Sequence, residues 1–171
     1  MKHACVPVRK PSRALAAASF AVVLSLAAAP ADAAGEAKGT VDYKGRTTNV
    51  KYAYLVQGPD AVSKQTIRRL ILSSTDLAGK IAACRTMSST DSDLGDGLSV
   101  NLEDGPRLNY WMVMNGQKVQ YSGTEPKGSL AAKADDAKRL AGALRFDKTA
   151  AGGPKVDVEF DAALVKEVNA P

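Results

Sequence analysis

From Gly39 onward, apolar and polar residues alternate in short runs broken by turn residues, the pattern of half-buried strands. Residues 40–43 and 47–56 flank Lys44-Gly45 and predict two strands about a tight turn, with Val50, Tyr52, Tyr54 and Val56 on one face at period two. Gly58-Pro59-Asp60 ends the second strand, and residues 66–73, holding Ile67, Leu70, Ile71 and Leu72, predict a third. The period then changes. Leu77, Ile81 and Cys84 fall at i, i+4 and i+7, the stripe of a short helix that Thr75 or Asp76 can cap. Gly79 weakens that helix by about 1 kcal/mol relative to alanine, and the stripe places Cys84 in the core. Residues 86–97 form a loop rich in Ser, Asp and Gly.

Residues 107–122 predict a hairpin about Asn115-Gly116, the preferred pair for a two-residue turn with positive φ at both central positions. A two-residue loop sets the register Met114–Gln117, Met112–Val119 and Tyr110–Tyr121. These six then share the core side, while Asn109, Trp111, Val113, Lys118, Gln120 and Ser122 share the other. Further strands are expected at 98–102, 129–133, 139–146 and 155–162. In the last, Val156, Val158 and Phe160 face one way and Asp157, Glu159 and Asp161 the other, as in a sheet with one wet face. About eight short strands with one short helix predict an all-β fold, an antiparallel two-sheet sandwich of immunoglobulin-like type, with a flattened β-barrel as the alternative. Residues 34–38 and 167–171 are expected to fray.

The beginning of the chain has a different character. A basic stretch with Lys2, Arg9, Lys10 and Arg13 leads into the apolar, alanine-rich residues 14–30, followed by Ala31-Asp32-Ala33. This is the pattern of a cleaved secretory signal peptide over residues 1–33, too short and too weakly apolar for a membrane span. Residues 34–171 then form a single domain, periplasmic or extracellular by the general secretory route. Cleavage also removes His3, the sole histidine, and Cys5, leaving Cys84 as the one thiol. The fold is therefore expected to rest on its core rather than on a disulfide, with Cys84 buried and inert unless it pairs with another chain. The cut takes away four positive charges and one negative, lowering the net charge from +5 to +2. So balanced a surface, with no basic run interleaved with aromatics, excludes nucleic acid as the expected partner.

Candidate chemistry is sparse. Asp91, Asp93 and Asp96 lie in one Ser/Asp/Gly loop and could offer oxygen ligands to calcium. The spacing fails the helix-loop-helix calcium pattern, since Gly95, Asp96 and Leu102 occupy positions that need Asp or Asn, Gly and Glu. A solvated turn is the plainer account. Trp111 on the more polar hairpin face, with Lys118 and Gln120 beside it, could form an aromatic platform for a ligand. Without a histidine base, a Ser-x-x-Lys sequence or a Gly-x-Ser-x-Gly elbow, nucleophilic catalysis has no constellation to use. No enzyme activity and no cofactor are expected.

The succession Gly39-Thr-Val-Asp-Tyr-Lys-Gly45, Ala53-Tyr54, residues 67–72, Arg139-Leu-Ala-Gly-Ala-Leu144 and Val156-Asp-Val-Glu-Phe160-Asp-Ala162 resembles small exported bacterial β-sandwich proteins of unassigned function. The resemblance implies a fold and a location, and no catalytic residue, cofactor or ligand. The expectation is an exported, monomeric binding or accessory module for a protein or small-molecule ligand. Two alternatives are a structural subunit assembling by edge-strand pairing and a small carboxylate-dependent hydrolase.

Overall fold

The computed structural model describes residues 34–90, 95–103, 105–117 and 119–169. Nine strands run in chain order: β1 (Gly35–Tyr43), β2 (Arg46–Pro59), β3 (Thr66–Ser73), β4 (Gly97–Leu102), β5 (Arg107–Val113), β6 (Tyr121–Pro126), β7 (Leu130–Asp135), β8 (Arg139–Asp147) and β9 (Lys155–Glu167). One short helix, α1 (Ala78–Ala83), follows β3. All nine strands belong to one sheet in the order β6-β5-β4-β3-β2-β1-β9-β8-β7.

The two-sheet, immunoglobulin-like sandwich is therefore incorrect. An apolar face needs a cover, and alternation in the sequence does not say whether a second sheet or the same sheet supplies it. Here the sheet covers itself by curling. Val41 and Tyr43 of β1, Leu70 and Leu72 of β3, Leu98 and Val100 of β4, Tyr110 and Met112 of β5, Leu140 and Leu144 of β8 and Val156, Val158, Phe160 and Ala162 of β9 join one inner cluster. Burying each of the larger of these side chains contributes about 1.5–3 kcal/mol. The flattened barrel does not describe the result either, because the terminal strands β6 and β7 share no ladder. The form is a half-barrel.

The strand directions show how its two edges are related. Each ladder outward from β1, through β2 to β6 on one side and through β9 and β8 to β7 on the other, is antiparallel. Counting directions around the sheet gives β6 and β7 the same sense. Tyr121 to Asp135 is thus one continuous path that pairs with β5 in its first half and with β8 in its second. It changes partner at the short 3₁₀ turn Lys127–Ser129. Side chains, not backbone ladders, must hold each half along its free side.

Local chemistry explains the remaining departures. β1 carries a bulge between Glu36 and Gly39, where φ at Gly39 is +145° and a Cβ would stand 2.0 Å from the Asp157 carbonyl oxygen. Only glycine lets β9 approach so closely. Residues 35–38, expected to fray, are therefore held in β1 between β2 and β9. Beyond the start of β1, β2 and β9 meet directly in a short parallel ladder at Leu55–Leu164, Val56–Lys166 and Gln57–Glu167. The stripe Val50, Tyr52, Tyr54 and Val56 is divided: Val50 joins the inner cluster, while Tyr54 and Val56 form an outer cluster with Ile71, Leu77, Ile81 and Val113, with Tyr52 packed against it. The inner face of β2 passes to Ala53 and Leu55. Helix α1 covers the outer cluster but ends at Ala83, so Cys84 sits in extended backbone at its C-cap, half-buried rather than in the core.

The turn Asn115-Gly116 has positive φ at both residues, 58° and 65°. Beyond it the register differs from the expected one by two residues, with Met112 opposite Tyr121 and Tyr110 opposite Gly123. The Gln120 N–H donates to the Met112 carbonyl at 2.9 Å, which lengthens the loop on the β6 side. A slip of two preserves the face of each β6 residue. It leaves Gln117 and Val119 outside the core, with Val119 half-exposed.

Candidate functional site

The structure separates the residues that the sequence groups together. Trp111 lies on the outer face of β5, half-buried, opposite Ser99 and Ser122. Its indole lies under the Arg69 guanidinium, 5.6 Å from the ring centre. Arg69 is itself buried, donating from Nε to Asn101 Oδ1 at 2.7 Å and from one terminal nitrogen to the Met87 carbonyl and Thr90 Oγ1, both at 2.8 Å. Trp111 thus packs in a polar layer outside the sheet. Gln120 belongs elsewhere, donating to Gln117 Oε1 at 3.1 Å at the turn end of the half-barrel. Lys118 lies outside the described residues, as do Asp91 and Asp93 of the proposed calcium loop. Asp96 serves the fold, its carboxylate accepting the Gly116 N–H at 3.1 Å and so tying β4 to the β5–β6 turn.

A concave site forms instead where the Tyr121–Asp135 segment swings from β5 to β8. The swing leaves a cleft of about 540 Å³ between β7 and the ends of β2, β3 and β4, within the range of small-molecule pockets, about 300–1,000 Å³. Ile67, Leu102, Leu130 and Leu140 give it an apolar lining. Arg68 spans it, donating to Asp135 Oδ1 at 2.6 Å and to the Asp136 carbonyl at 2.7 Å. Asp136 is fixed in turn, its Oδ1 accepting the N–H groups of Lys138 and Arg139 at 2.8 and 2.9 Å. Lys127 and Gln57 also border the opening. An ammonium and an amide beside a leucine floor can orient a ligand that has one apolar and one polar part.

The opposite half of the seam is closed. Glu125 of β6 is only 4% exposed, and the Lys148 ammonium lies 3.1 Å from its Oε1. That oxygen has no aligned hydrogen bond, so the contact is one of charge more than of directed bonding. Tyr110 lies in the same interior, stacked on Tyr121 at 6.1 Å and against Phe146 at 5.0 Å. Burial, reinforced by Tyr121 and the Glu125 charge, pushes the Tyr110 phenol above its ordinary pKa.

Neither Arg68 nor Asp135 stands out in the sequence, because each is one charged residue among many and the two are brought together across 67 positions. The available signal was the dipeptide Arg68-Arg69, which puts one guanidinium on each side of a strand of otherwise apolar residues. Among the described residues no group of three His, Cys, Asp or Glu could hold a metal ion, and no helix is long and apolar enough to cross a membrane. Comparison with protein-family models, curated proteins and solved structures finds no match to this chain.

Proposed function

We propose that the protein is an exported binding module that holds a small, partly apolar ligand in the cleft between β7 and the ends of β2–β4. The observation that carries this reading is the cleft itself, a leucine-lined concavity spanned by the Arg68–Asp135 ion pair. It arises from a break in the sheet where a regular barrel would have a continuous ladder. Its leucine lining and a polar border that includes Gln57, Lys127 and Glu103 suit the capture of a ligand with one apolar and one polar part.

The strand-pairing alternative has less support. Both free edges, β6 and β7, are short, and β7 carries a bulge between Ala132 and Ala134 with exposed Lys133 at that point. Bulges and edge lysines discourage addition of another strand.

Leucine-methyl NMR during titration with octanol tests the binding reading. The expected result is saturable shifts at Leu102, Leu130 and Leu140, weakened by Leu102→Ser. Shifts absent from these methyls, or spread evenly over the inner cluster, would sink it. Recovery of a processed chain outside the cytoplasm tests export.

A further inference from the structure

We infer that the opposite, turn end of the half-barrel is a second binding site, for a small molecule that carries a carboxylate or phosphate group. The β1–β2 and β5–β6 turns belong to strands far apart in the sheet order, yet the curl brings them to one mouth, where Tyr43 and Tyr121 approach to 5.6 Å between ring centres. A cleft of about 410 Å³ lies between the two turns. Its lining includes Lys44, Arg46, Asn115, Gln117 and Gln120, and no acidic residue.

The two cations are free to engage a ligand, since neither has a carboxylate partner among the described residues. The acids beside the two turns are already engaged: Asp42 accepts from the Thr47 hydroxyl, and Asp96 accepts the Gly116 N–H. Arg46 lies opposite Tyr43, a residue of the inner cluster, so its strand position faces the mouth. Its planar fork matches the paired oxygens of a carboxylate or phosphate. Lys44 adds a point charge, with its ammonium 5.1 Å from the Tyr43 ring centre.

The placement of Lys44 is a separate observation. It holds φ at 48°, left-handed backbone that a lysine adopts reluctantly and that Asn or Gly takes readily. The other turn at this mouth uses Asn-Gly at the equivalent pair. Lys64, at φ 61°, takes the same backbone in the loop after β2, so the conformation places the Lys44 charge at the mouth and the charge-lined cleft carries the inference. Across the mouth, Asn115, Gln117 and Gln120 supply amides that can complete the shell around an oxyanion.

The test is amide NMR of the protein titrated separately with glucuronate, glucose 6-phosphate and neutral glucose. Saturable shifts are expected at residues 43–46, 115–117, 119 and 120 with one or both acids and not with glucose, and the stronger acid tells whether carboxylate or phosphate is read. Arg46→Gln and Lys44→Asn should each weaken binding by about tenfold or more, the scale of a lost charge-assisted hydrogen bond. Lys44→Asn suits the turn, so a loss of binding in that variant reports charge and not unfolding. Equal response to glucose, or unchanged affinity in both variants with the fold intact, would overturn the inference. The leucine methyls of the far cleft are read in parallel and decide the first site independently.

Discussion

Tyr54 shows how one side chain couples two layers of this fold. Its ring is fully buried in the outer cluster, and its hydroxyl accepts the Leu77 N–H at 2.7 Å while donating to Asp76 Oδ1 at 2.8 Å. Asp76 also accepts the Ala78 N–H at 2.9 Å, so the phenol and the carboxylate together hold the start of α1. Tyr54→Phe keeps the ring and orphans the Leu77 N–H, and is expected to cost about 1–3 kcal/mol in denaturant unfolding. Burial, with Asp76 adding to it, pushes the phenol up to about 12. A tyrosine that ionises later in the folded state than in the unfolded one contributes stability that is complete below about pH 10 and declines as pH rises toward 12. The alkaline limb of a pH–stability curve should therefore be shallower in Tyr54→Phe. The acid limb has the opposite sign. Backbone and hydroxyl hydrogen bonds hold Asp60, Asp76 and Asp147 below the ordinary carboxylate range, and Arg139 does so for Asp161. Their contribution is present above about pH 4 and lost as pH falls through the lowered values.

Among the elements, the two hairpin turns make the sharpest contrast. Lys44-Gly45 and Asn115-Gly116 both have two positive-φ residues, the geometry that matches the twist of the flanking strands. Lysine in left-handed backbone costs about 1–2 kcal/mol, so Lys44→Asn should raise the unfolding midpoint, whereas Gly116→Ala should lower it. Failure of Lys44→Asn to stabilise would mean that the lysine makes a compensating contact. Strand positions were legible in the sequence because alternation and turn glycines are local: residues 66–73 coincide with β3, and the Asn-Gly turn forms where expected. The hairpin register beyond the turn was not legible, because the bond from Gln120 to the Met112 carbonyl is settled by the packing of β6 against β5. Face assignment failed along β2 for a related reason. Both of its faces are covered, by the sheet's own curl and by α1, and a strand buried on both sides loses the polar residues that would mark inside from outside. The bulge at Gly39 could have been suspected from a glycine inside a strand pattern. Its necessity is a tertiary fact, and Gly39→Ala, which would set a Cβ against the Asp157 carbonyl, is expected to prevent β1 from pairing with β9.

For the whole molecule, the decisive feature is that a single stretch of chain forms both edges of the sheet. Alternation specifies which residues face inward but says nothing about how many strands complete a turn, so the half-barrel was beyond a reading of periodicity. The cleft was hidden with it, since Arg68 and Asp135 meet only because the seam stands between them. The seam also distributes stability unevenly. Arg145 pairs with Asp157 and Glu159 on the outer face, where every partner is at least half-exposed. Such surface pairs contribute about 0–1 kcal/mol because water solvates the separated charges almost as well. Lys148 faces a carboxylate that is 4% exposed, and removing it leaves Glu125 charged in an aromatic interior. Lys148→Ala should therefore cost about 2 kcal/mol or more, against less than about 1 kcal/mol for Arg145→Ala. Lys148→Ala combined with Glu125→Gln should recover part of the loss, because no charge remains to be buried. Hydrogen exchange in the same variants locates the effect: with no ladder along its free side, β6 should lose protection in Lys148→Ala before β2 or β3 does. Equal costs for the two lysine and arginine variants, or a loss of protection spread evenly over the sheet, would mean that the seam is no weaker than the ladders on either side of it.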